Sequence, residues 1–247
     1  MKAFLQALSF LAILPAGRNI PMDGKTLARS MAFFPVAGLL IGLILALAYS
    51  VLIWLLPKSL ALWSTVGLLA LVTGGLHLDG FADTIDGLAC GGTRERVLEV
   101  MRDSRIGALG VIGLIFLIGA KFFALDQIPD PVIPYSIISM IVMGRSSMVL
   151  VCYRSPYPRS GEGLAKPFVE NLTAREVILS SVSALGIALL AMNVKGILVF
   201  SGVALFSLGY RAFFIRKLGG ITGDILGASN ELAELLSLSL LIVLERF

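Results

Sequence analysis

Histidine and cysteine are nearly missing from this 247-residue chain, which has one histidine, His77, and two cysteines, Cys90 and Cys152. So few Cys and His residues exclude the ligand patterns of zinc and iron–sulfur centres, and they exclude a disulfide framework. Charge is scarce as well: 15% of residues are charged and 57% hydrophobic, with a mean hydropathy of +0.92, outside the balance of a soluble domain. Internal repeats, low-complexity tails and polar linkers are absent, so one membrane-embedded domain over residues 1–247 is expected. The net charge of +4 does not signal nucleic acid, because basic cytoplasmic loops give a membrane protein such an excess.

What is present is a series of apolar runs on the order of 20 residues long, enough to cross a bilayer. They fall at about 33 to 56, 107 to 125, 132 to 151, 177 to 194 and 196 to 214, with shorter ones at 60 to 76 and 232 to 245. The expected fold class is all-α, a polytopic helical bundle of about seven transmembrane helices. The opening MKAFLQALSFLAILP is closed by Pro15 and Gly17 and lacks a convincing A-x-A cleavage site, so it reads as a retained interfacial or re-entrant helix. Most basic residues fall on one side if the N-terminus is cytoplasmic: Lys2, Arg18, Lys25 and Arg29, then Arg94 to Arg105, then Arg154 to Arg175, then Arg211 to Lys217. A multi-pass membrane protein with its polar chemistry on the cytoplasmic face follows. Gly38 and Gly42 form a G-x-x-x-G in the first long run, suited to close helix packing within the chain or between copies in a homo-oligomer.

The chemistry concentrates between Gly74 and Gly110, in GGLHLDGFADTIDGLACGG, TRERVLEV and MRDSRIGALG. If His77 to Gly87 is helical, Asp79, Asp83 and Asp86 stand at i, i+4 and i+7 on one face. Stacked carboxylates repel, so a cation should offset them, and hard oxygen ligands select magnesium or manganese. His77 suits a general base or ligand as well as a hydrogen-bonded structural role. Arg102 and Arg105 flank Asp103 and could grip phosphate oxygens bidentately, whereas Arg94 and Arg96 also fit plain membrane anchors. Glu95 and Glu99 fit salt bridges to neighbouring arginines. In LGGITGDILGASNELAE, Asp224 and Glu231 lie two turns apart and either join the site or pair with Arg211, Arg216 or Lys217. Arg145, in mid-span, should turn inward toward acidic groups or a substrate phosphate; Lys121 can snorkel.

The strings GGLHLDGFADTIDGL, MRDSRIGALG and LGGITGDILGASNELAE together resemble the cobalamin synthase family, the adenosylcobinamide-GDP ribazoletransferases, over nearly the whole chain. The resemblance implies a polytopic inner-membrane enzyme of vitamin B12 nucleotide-loop assembly. Adenosylcobinamide-GDP would be attacked by a ribose hydroxyl of alpha-ribazole or its 5'-phosphate, giving adenosylcobalamin or its phosphate and GMP, with magnesium as cofactor. Both readings meet in phosphoryl transfer. Asp79, Asp83 and Asp86 are expected as metal ligands, one of them or His77 as base, and Arg102, Asp103, Arg105, Arg145, Asp224 and Glu231 around the substrate phosphates. Two other readings fit the acidic cluster. One is a CDP-alcohol phosphotransferase, whose full D-G-x-x-A-R signature is missing here; the other is a cation transporter.

Overall fold

The computed structural model describes residues 2–13 and 23–246. The turn expected at Pro15 and Gly17, and Arg18, lie outside the described residues. Among the described residues there is no strand. The helices are α1 (Lys2–Leu11), α2 (Gly24–Ser30), α3 (Phe34–Leu55), α4 (Lys58–Val72), α5 (Leu76–Ala89), α6 (Arg94–Val100), α7 (Ala108–Asp126), α8 (Ile133–Cys152), α9 (Lys166–Asn171), α10 (Ala174–Met192), α11 (Val194–Leu218) and α12 (Gly223–Leu244). Among the described residues six segments are long and apolar enough to cross a membrane, those containing α3, α7, α8, α10, α11 and α12, and the bent pair α4–α5 makes a seventh where it is counted as one span. The fold is a polytopic helical bundle.

Local sequence sets the helix ends. Asp23 caps α2 by accepting from the Thr26 amide, and Thr173 with Glu176 forms a capping box at α10. Gly219, at φ +73°, ends α11, and the Thr222 hydroxyl then accepts from the Ile225 amide to start α12. Between α4 and α5, Gly74 and Gly75 both adopt left-handed φ, +62° and +69°, and the chain turns through 89°. The run expected at 60 to 76 is therefore the first limb of a sharply bent helix pair, a broken span or a re-entrant loop, whose second limb is the acidic helix itself.

The centre of the bundle is α8. Of its apolar window 89% is buried inside the protein, against 22–28% for α7, α10 and α11. Helix α3 packs on α8 through the G-x-x-x-G: a β-carbon at Gly42 would stand 2.9 Å from Ile138 Cα, and one at Gly38 would stand 3.0 Å from Arg145 Cγ. The motif is thus used within the chain, where small residues let helices approach without a hydrophobic driving force. The Ser207 hydroxyl of α11 donates to that of Ser147 on α8 at 2.8 Å, a further tie between spans.

Helix α12 departs most from expectation, since the span expected at 232 to 245 begins at Gly223. Its Glu231 and Glu234 are buried, and Lys121 of α7 donates to both, at 2.5 and 2.6 Å. Arg145 of α8 donates to Glu234 at 2.9 Å and also to the Asn230 side-chain oxygen, while the Asn230 amide donates back to both glutamates. Two anions face two cations, which is what allows charged groups inside an apolar bundle. Lys121 accordingly does not snorkel, and Glu231 does not pair with Arg211, Arg216 or Lys217.

Candidate active site

Helix α5 crosses α12 at its small residues. Gly80 abuts the Asp224 backbone, and a β-carbon at Gly227 would be 3.3 Å from His77 Cα and 3.4 Å from Gly80 Cα. This close crossing brings His77 and Asp79 of α5 beside Asp224 of α12 on the wall of one cavity of about 190 Å³. The segment between α8 and α9 adds Tyr157, Arg159 and Leu164 to the same wall. Phe10, Phe34 and Phe168, from α1, α3 and α9, line it as well.

Charge is distributed unevenly around this cavity. Arg159 pairs with Asp224 at 2.9 Å and reaches the Leu98 carbonyl at 3.4 Å, while its buried Nε has no partner. Asp224 also accepts from the Thr222 hydroxyl at 3.2 Å. His77 is 2% exposed and neither ring nitrogen has a hydrogen-bond partner. Buried polar groups are normally satisfied within the protein, so the His77 ring nitrogens and the Arg159 Nε, closed off from solvent as well as unpartnered, are exceptions packed behind the cavity surface. Asp79 is exposed on the cavity side and Asp83, half-buried, lies one turn further along α5.

The remaining expected residues are placed elsewhere. Both Asp86 oxygens are engaged at 2.7 Å by the Gly107 and Gly110 amides, so Asp86 caps α7 and is not a free ligand. The reason is local: orphan amides at a helix start attract a carboxylate. Asp103 accepts from the Arg105 side chain at 2.7 Å and from its backbone amide, and these bonds hold the Asp103 carboxyl down at about 2. Arg105 and Arg102 are exposed and stand apart from the cavity lining. Arg145 is fully buried in the ion-pair network and Glu231 shares it, so neither reaches this cavity. Arg96 pairs with Glu99 at 2.8 Å, as the spacing suggests. Among the described residues no three His, Cys, Asp or Glu side chains converge as a ready-made metal cluster. The triad Asp79, Asp83, Asp86 is therefore split, two carboxylates toward the cavity region and one at a helix cap.

The profile of the cobalamin-5-phosphate synthase family matches residues 3–242. This chain belongs to that family. Among its relatives, the adenosylcobinamide-GDP ribazoletransferase of Alkaliphilus metalliredigens is 37% identical over 95% of this chain and 92% of its own. The protein of the same name from Geotalea daltonii is 38% identical, covering 99% and 98%, and that of Escherichia coli O139:H28 is 38% identical, covering 96% and 98%. No solved structure matches the chain. Within this family member, Arg159 is the cavity residue that sequence reasoning passed over as one more basic loop residue. Its signal was the loop RSPYPRSGEGLAKPF, whose prolines and glycines mark a built turn between two spans.

Proposed function

We propose that this protein is a membrane transferase that joins adenosylcobinamide-GDP to alpha-ribazole or its 5'-phosphate, releasing GMP. Family membership over nearly the full length supports the reaction, and the relatives carry that activity in their names. The observation that carries the site is the cavity wall formed by His77, Asp79, Asp224 and Arg159. A ribose hydroxyl attacks the corrinoid-side phosphorus, the bond to the bridging oxygen of the diphosphate breaks, GMP leaves, and the hydroxyl proton passes to a base. Asp79, the exposed carboxylate on that wall, is placed to receive that proton, with His77 buried beside it. Arg159, a guanidinium-bearing residue on the cavity wall with its side chain 15% exposed, holds phosphate oxygens.

Magnesium fits this donor set. Asp79 and Asp224 present hard carboxylate oxygens at the cavity and Asp83 follows on the same face of α5, whereas magnesium characteristically takes one or two carboxylates and completes its shell with substrate phosphates and water. The missing ready-made cluster is consistent with that mode. Bound there, the ion would neutralise charge developing on the transferred phosphoryl and the departing nucleotide. The clustering of basic residues in loops on one side supports a cytoplasmic membrane location with the cavity facing the cytoplasm. A cation pathway is less well supported, because the buried glutamates of α12 are already neutralised by Lys121 and Arg145.

The test is GMP release by the purified protein in detergent with adenosylcobinamide-GDP, alpha-ribazole and magnesium. Joined corrinoid appearing with GMP, and lost on chelation or in Asp79→Asn, is the expected result. A folded wild type that yields no product with any divalent metal would sink the reading.

A further inference from the structure

The cavity has two chemically distinct walls, and only one of them is used by phosphoryl transfer. Its polar wall comes from α5, α12 and the α8–α9 segment. Its other wall is aromatic: Phe10 stacks on Phe34 with centroids 5.9 Å apart and planes 16° from parallel, and Phe168 stands edge-on to both, at 5.0 and 6.1 Å. Phe34 and Phe168 are buried and held by their neighbours, whereas Phe10 is only partly buried and so has surface to offer a ligand. Met148 of α8 lies on the same cavity, a polarisable side chain suited to contact with an aromatic ring.

Resting on the transferase reading, we propose that this aromatic wall is the base subsite of the acceptor, receiving the flat benzimidazole of alpha-ribazole so that its ribose points at His77, Asp79 and Asp224. Three ring-bearing or bulky parts of the two substrates compete for the space. A cavity of about 190 Å³ is far too small for a corrinoid. Guanine carries a carbonyl, a ring N–H and an exocyclic amine, and the phenylalanines offer none of them a partner, so burying it there would cost several unmade hydrogen bonds. A methylated benzimidazole has no exocyclic polar group and one ring-nitrogen acceptor, so it gives up fewer hydrogen bonds than guanine on leaving water, while an aromatic face gains stacking. The corrinoid then stays outside and only its diphosphate reaches in, toward Arg159.

Phe10→Ala removes the accessible ring without emptying the fully buried pair, and Phe10→Tyr restores it. Steady-state kinetics should show the KM for alpha-ribazole rising about tenfold in Phe10→Ala, with the KM for adenosylcobinamide-GDP moving less than twofold, and Phe10→Tyr returning toward wild type. Equilibrium dialysis of alpha-ribazole against the enzyme without donor should show the same loss of affinity, with folding checked by thermal melting. An active Phe10→Ala whose acceptor KM is unchanged, or whose donor KM rises equally, overturns the subsite and leaves the transferase standing. Wild type that binds alpha-ribazole in a Phe10-dependent way but never turns over overturns the transfer reaction and leaves the subsite. A Phe10→Ala that fails to fold is replaced by Phe10→Leu, which keeps apolar volume and loses the ring face, judged by the same KM ratio.

Discussion

Gly80 of α5 lies against the backbone of Asp224 of α12, so closely that a β-carbon at Gly80 would stand 2.9 Å from both the Asp224 Cα and its carbonyl oxygen. Backbone atoms cannot swing aside as a side chain can, so Gly80→Ala must separate the two helices. Overpacking of this kind costs about 1–3 kcal/mol. The larger effect should be on chemistry, since displacement of reacting groups by about 1 Å can cost on the order of 100-fold in rate. Melting temperature in detergent and GMP release, measured together, should show a modest loss in the first and a severe one in the second. Full activity in Gly80→Ala would mean that this crossing does not position the site.

The split of the aspartate triad gives a second prediction. Asp79→Asn should lower GMP release by about 100-fold or more and raise the magnesium concentration needed for half-maximal rate, because the carboxylate faces the cavity. Asp86→Asn instead leaves one accepting oxygen for the two Gly107 and Gly110 N–H groups, so its main effect should be the loss of one of those hydrogen bonds, a stability loss of about 1 kcal/mol. Magnesium titrations of both variants distinguish the roles. A shifted magnesium dependence in Asp86→Asn with none in Asp79→Asn would reverse the assignment.

Two arginines offer a direct contest between spacing and geometry. Arg105 looks like a phosphate clamp in MRDSRIG, yet its guanidinium is turned onto Asp103 and the pair is exposed. Arg159 lines the cavity and keeps an unpartnered Nε. Arg159→Lys should raise the KM for adenosylcobinamide-GDP about tenfold or more, because an ammonium cannot reproduce the guanidinium fork. Arg105→Lys should change it by less than about threefold, as an exposed ion pair contributes little. The opposite ranking would return the pyrophosphate to the loop before α7.

Much of this site was legible because it is local. His77 and Asp79 fall in one short polar segment between apolar runs, and two adjacent glycines mark the break that points that segment at α12. What was not legible depends on partners far along the chain. The sequence places the α12 span only at 232 to 245 and reads Glu231 as a site residue or a partner of Arg211, Arg216 or Lys217, and nothing near it in sequence reveals that Lys121, 110 residues before it, neutralises it. Arg159 was likewise hidden, since its carboxylate partner lies 65 residues away. Asp86 shows the converse: helical periodicity correctly put three aspartates on one face, but periodicity is blind to the free amides of another helix, which claimed the third.

Lys121 provides the last and most severe test, because one ammonium serves two buried glutamates. Lys121→Met keeps length and apolar volume but leaves two carboxylates with Arg145 alone, and removing one partner of a buried ion pair costs about 3–5 kcal/mol. The expected result is a large fall in melting temperature in detergent, together with loss of activity, since α12 also carries Asp224 to the cavity. Adding Glu231→Gln to Lys121→Met restores the balance of one anion to one cation and should recover a substantial part of the stability, so that the double variant is more stable than the single one. The coupling of the two substitutions, read as a double-mutant cycle, measures the pair directly. Strict additivity would show that Lys121 and Glu231 do not depend on each other, and the charge-balance account of how α12 enters the bundle would fail with it.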